Sequence, residues 1–96
     1  MANIKITTEA LEAGAVSFDN AANKMETAIA KAKNAVASLD GGWDGTASEA
    51  FKSRFHTHLR EAREAKEFFE RLALDLRSAR NEYDQAEDEV RGTVAT

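Results

Sequence analysis

His56 and His58 are the only histidines in the chain, and no cysteine accompanies them. A metal site or an imidazole base would have to be built on this pair. Two residues along a helix separate side chains by about 200°, so the two rings cannot share an ion as an i, i+4 pair does. No serine has a histidine placed to activate it, and a thiol nucleophile is absent. The stretch Asp40-Gly41-Gly42-Trp43-Asp44-Gly45-Thr46 is rich in glycine. It has no preceding strand and no Gly-Lys-Ser/Thr ending, so it is not a phosphate loop. The chain is expected to be no enzyme and to bind no metal or cofactor.

What remains is chemistry of recognition. Trp43 is the single tryptophan and Tyr83 the single tyrosine. An indole is an awkward choice for a solvated loop, so Trp43 is expected to pack against something, at the least as a cap over the end of a helical bundle. Tyr83 reads as an ordinary core aromatic with its hydroxyl at the surface. Glu82, Asp84, Glu87, Asp88 and Glu89 are interrupted by no base before Arg91. They form a solvated acidic face, or a patch for a basic partner.

Long helices must position these groups. The chain has no proline, five glycines and much Ala, Glu, Lys, Arg and Leu, a composition for nearly all helix. Thr7 or Thr8 is expected to cap a first helix over about residues 8–40, after a frayed leader in which Ile4 and Ile6 cover a bundle end. Leu11, Ala15, Phe18, Ala22, Met25, Ile29, Ala32, Val36 and Leu39 alternate gaps of four and three, a heptad seam. A row of small residues, Gly14, Ala21, Ala28 and Ala35, runs beside it and would admit a second helix closely. Gly41 and Gly42 are expected to end the helix in the left-handed conformation. Thr46 is then the next N-cap, with Glu49 completing a capping box.

The second helix is expected over about 46–90. Its seam reads Phe51, Phe55, His58, Ala62, Ala65, Phe69, Leu72, Leu76, Ala79, Tyr83, Ala86 and Val90, and Leu59, Phe68 and Ala73 widen it. Glu49 with Lys52, and Glu67 with Arg71, are expected as exposed pairs within the helix. Residues 91–96 lack the period and should be a loose tail. The architecture expected is one all-α domain over 1–96, an antiparallel two-helix hairpin with its turn at 41–45. Each helix would leave an apolar face wet. A second hairpin covering it gives a four-helix bundle, with Phe18, Met25, Ile29, Phe55, His58, Phe69, Leu72 and Leu76 on the bundle or dimer seam. His58 reads as a partly buried bundle residue, with a pH-sensitive contact as the sharper alternative.

The net charge of −4 argues against nucleic acid, which needs a basic face. Residues 1–8 hold no apolar core of a general secretory signal, and no run approaches the roughly 20 apolar residues of a spanning helix. A protein without stable membrane insertion is expected.

About a hundred residues in two helices, with Trp43-Asp44-Gly45 at the turn between heptad segments, resembles the WXG-100 family, also called ESAT-like. Near the C-terminus, Tyr83-Asp84-Gln85-Ala86-Glu87 is similar to that family's Tyr-x-x-x-Asp/Glu export motif. The resemblance covers essentially the whole chain. It implies a protein made and folded in the bacterial cytoplasm and exported as a folded dimer by a type VII secretion system, without a cleaved signal peptide. A membrane-bound secretion ATPase would read the C-terminal motif. Carried over by residue, Trp43 and Gly45 are the turn motif, Tyr83 and Glu87 the export motif. The partner is a second copy or a paralogous hairpin. The competing role is a cytosolic adaptor that pairs with a larger toxin and takes it to the same machine. Tyr83 lies about 38 residues, or nearly 57 Å, from its own turn, so only a partner's Trp43 in an antiparallel dimer would approach it.

Overall fold

The computed structural model describes the backbone of residues 6–95 and the side chains of residues 6–86. Two helices, α1 (Thr8–Asp40) and α2 (Thr46–Ala95), fold back on each other. At 33 and 50 residues they should measure roughly 50 and 75 Å. The rod they form extends 76 × 22 × 20 Å. The architecture is all-α, with no strand among the described residues.

α1 begins where its cap is. The Ala10 N–H donates to Thr7 Oγ1 at 3.0 Å, satisfying one of the amides that a first turn leaves without a partner. At its other end Gly41 stays right-handed (φ −72°), and the Gly42 N–H donates to the Leu39 carbonyl at 3.2 Å. The left-handed residue expected there lies elsewhere. Gly45 alone among the described glycines has positive φ, at 100°. Its carbonyl accepts from the Glu49 N–H at 3.0 Å, which makes Gly45 the N-cap of α2 and Thr46 its first helical residue. Glu49 is thereby one position too far along for a capping box with Thr46. The cause is the chain reversal itself, which needs its positive φ immediately before α2.

α2 also runs further than its apolar period, through Ala95, where a loose tail is expected from 91. Residues 91–95 contain no proline, and Gly92 alone costs about 1 kcal/mol of helix propensity without breaking the backbone ladder. The leader residue Ile4 and the side chains of Glu87 and Val90 lie outside what the structure describes.

Ala15, Ala22 and Ile29 of α1 and Leu59 and Ala73 of α2 are the buried apolar residues among those described. Small residues at this line let the helices approach closely: a Cβ added to Gly14 would lie 3.0 Å from Leu76 Cδ1. Larger side chains fill the shoulders, with the Phe18 and Phe69 rings stacked at 6.2 Å. The α2 seam is therefore turned from the expected line. Leu59 and Ala73, read from sequence as widening residues, are the buried positions, whereas His58 has 72% of its side chain exposed and lies 3.4 Å from Glu61. Phe51, Ala79 and Ala86 are exposed too, as are Ala32 and Leu39 on α1.

Candidate functional site

The turn presents the motif residues. Asp44 and Gly45 carry the chain across from α1, and Trp43 precedes them in non-helical backbone. The indole is half-buried: it packs on Phe51, ring centroids 5.5 Å apart and tilted by 50°, and Phe51 stacks on Phe55 at 6.4 Å. The aromatic row thus begins in the turn and continues one helical turn at a time along α2. Below it, Ser48 Oγ donates to the Trp43 carbonyl at 3.1 Å. Gly45 has empty space where a Cβ would stand, so its backbone conformation is what calls for glycine.

A second feature escaped the sequence reading. On one flank of the hairpin, ion pairs cross between the helices along its length. Asp40 pairs with Lys52, and Glu26 Oε2 lies 3.0 Å from Lys66 Nζ. Glu12 holds Arg77 at 2.9 Å and Arg80 at 2.6 Å, while Arg77 also reaches Asp19 at 2.8 Å. Glu12, Asp19, Glu26 and Asp40 belong to one column of α1 spaced by sevens, with Lys33 its exception. Lys52, Lys66 and Arg80 answer from α2 at spacings of fourteen, in a heptad column whose intervening positions are the buried Leu59 and Ala73. Lys52 and Glu49 were expected to pair within α2, but Lys52 turns across to α1 instead. The signal was available in the sequence as opposite charges at matching heptad positions on two helices.

The charges shift one another. The hydrogen bond and charge of Lys66 hold the Glu26 carboxyl below its ordinary value, and Glu26 in turn raises the Lys66 ammonium. The hydrogen bonds that Arg77 donates to the Asp19 and Glu12 carboxylates raise its guanidinium above the ordinary value.

The ladder leaves the opposite flank apolar. Each ladder position directly follows an apolar one: Met25 before Glu26, Leu39 before Asp40, Phe51 before Lys52, Ala65 before Lys66. Adjacent helical residues point about 100° apart, so rows that precede the ladder lie across the helix contact from it. Phe51 is 39% exposed and Phe68, just beyond that row, 52%. Leu72 and Met25 are half-buried on this side, and His58 shares it.

The remaining candidates are far from the turn. Tyr83 is half-buried near the far end of α2, and the backbone of Glu87 continues the same helix one turn on. Ile29 is buried between the helices, and Phe55, Phe69 and Leu76 are half-buried there. Among the described residues no three His, Asp or Glu side chains gather as a metal site requires, and no helix is long and apolar enough to cross a membrane.

Solved structures share this hairpin. The secreted protein EsxB from Bacillus anthracis is similar with a TM-score of 0.81 and 29% identity, over 91% of this chain and 99% of that one. Its wild type in another crystal form gives 0.78 and 30%, over 85% and 88%. A point mutant gives 0.78 and 30%, over 88% and 97%. No individually curated protein matches the sequence significantly. The family model for proteins of 100 residues with WXG matches residues 3–88, spanning the Trp43-Asp44-Gly45 turn and both helices. Trp43-Asp44-Gly45 supplies the WXG tripeptide for which the family is named, the match spans most of the chain, and the chain belongs to that family: this is a WXG100 protein.

Proposed function

We propose that this protein is a small, non-enzymatic substrate of a type VII secretion system, exported as a folded four-helix dimer. The observation that carries the reading is the likeness of the whole hairpin to a protein described as secreted, at 29% identity over 91% of this chain. The dimer has support from the chain's own surface. The flank bearing Met25, Phe51, Phe68 and Leu72 is apolar, and opposite it the charges are already paired within the hairpin. A second copy laid antiparallel on that flank would cover it and bring a partner turn towards the far end of α2. Trp43 of one copy and Tyr83 with Glu87 of the other would then form one composite surface. An aromatic and a carboxylate four residues apart share a helix face, and the carboxylate can accept a charge-assisted bond from a basic groove. A membrane-bound secretion ATPase is the reader we assign to that surface.

The test is a secretion assay run beside circular dichroism and light scattering. Tyr83→Ala, Glu87→Ala and Trp43→Ala should each leave a folded helical protein of twice the chain mass inside the cell and none in the medium. Normal export of Glu87→Ala would show the motif match to be accidental. A stable monomer for the unmodified chain would favour a paralogous partner or an adaptor role over the homodimer.

A further inference from the structure

Ser48 is the one buried polar side chain among the described residues, at 1% exposure. Volume and propensity do not explain it: alanine would fill the site with less polar burial and a better helix preference. The explanation lies in the turn. With Gly45 as the cap of α2, Ser48 falls in the first helical turn, directly beneath Trp43. The other backbone bonds of the turn run from Gly42 to Leu39 and from Glu49 to Gly45, so none of them serves the Trp43 carbonyl. Ser48 Oγ does, at 3.1 Å. A carbonyl in half-buried, non-helical backbone needs such a donor. Phe51 holds the ring itself at 5.5 Å, and the positive φ of Gly45 sets the approach of the chain.

We propose that Ser48 is a positioning residue for Trp43: its hydroxyl fixes the Trp43 backbone and thereby the direction in which the indole is presented. Phe51 alone leaves the ring free to slide, because a tilted aromatic contact has no single donor–acceptor axis. The hydrogen bond supplies that axis. The consequence for export rests on the reading above, in which Trp43 belongs to the surface that the secretion machinery recognises.

Trp43 is the only tryptophan, so fluorescence excited at the red edge, where Tyr83 does not absorb, reports on this residue alone. Acrylamide quenching and anisotropy are measured on the wild type, Ser48→Ala and Ser48→Thr, beside circular dichroism and the secretion assay. The wild-type indole should be partly shielded and rotationally restricted. Ser48→Ala should keep its helicity while the fraction of unrestrained indole rises severalfold, up to about tenfold, for the loss of one hydrogen bond. Export should fall with it, and Ser48→Thr, which keeps the hydroxyl, should restore both. A freely rotating indole in the wild type, or unchanged quenching in Ser48→Ala, would overturn the positioning role. So would loss of the helices in Ser48→Ala, which would make the hydroxyl a determinant of the fold. If the indole is freed and export continues, Ser48 positions Trp43 as stated and it is the export reading that fails.

Discussion

Lys66 Nζ lies 3.0 Å from Glu26 Oε2, joining the middle of α1 to the middle of α2. The pair sits fourteen residues along each helix from its neighbours in the ladder, Asp40 with Lys52 and Glu12 with Arg80. An antiparallel hairpin advances on one helix as it retreats on the other. Three rungs in this step therefore define one register, and a slip of a single heptad would bring Glu26 opposite Leu59 or Ala73.

That pair sets a pH dependence with a definite sign. Glu26 titrates below its ordinary value in the fold, so its contribution is complete above the unfolded carboxylate value of about 4.3 and is lost as pH falls through the folded one. Lys66 titrates above its ordinary value, so its contribution is complete below about 10.4 and is lost as pH rises through the folded value. Melting temperature should be level between these limits and decline outside them. Glu26→Gln should lower the plateau and soften the acid decline. An acid limb identical to that of the wild type would show that the pair contributes nothing.

Arg77 bridges Glu12 and Asp19, two acids one heptad apart on α1. Arg77→Gln should lower the melting temperature at low ionic strength, and the difference should shrink as salt is added, because these half-buried groups remain partly open to solvent. A salt-independent difference would point to lost packing of the side-chain stem instead.

Leu59 and His58 are neighbours in the chain with opposite environments. Leu59→Ala should destabilise by about 2–5 kcal/mol in denaturant unfolding, as removal of a buried leucine does. His58→Ala should stay within about 0.5 kcal/mol of the wild type while the hairpin is monomeric. Should His58→Ala weaken the protein only at concentrations where it dimerises, the apolar flank is the dimer contact.

Gly45→Ala tests the turn. At φ 100° a Cβ meets no neighbouring side chain, so the cost is the backbone conformation alone, about 1–2 kcal/mol. The equivalent change at Gly41, which is right-handed, should be neutral or slightly stabilising. Equal effects at the two positions would contradict the placement of the left-handed residue.

Two helices, a break at the glycine-rich stretch and the apolar heptad period follow from local chemistry alone. Absence of proline, a threonine cap at Thr7 and recurring apolar residues act over a few positions, and a hairpin is the shortest way to cover both faces. The rotation of α2 about its own axis is a different matter. Apolar residues fill adjacent rows, with Phe51, Ala65 and Leu72 in one and Phe55, Phe69 and Leu76 in the next, so the period admits more than one helix-facing line. Tertiary pairing selects among them: placing Lys52, Lys66 and Arg80 against the acid column of α1 turns Leu59 and Ala73 inward and leaves His58 outside. The cap of α2 was settled in the same way. A capping box at Thr46 is locally sound, but closing the chain onto α1 requires positive φ at Gly45, and that moves the helix start by one residue and brings Ser48 beneath Trp43.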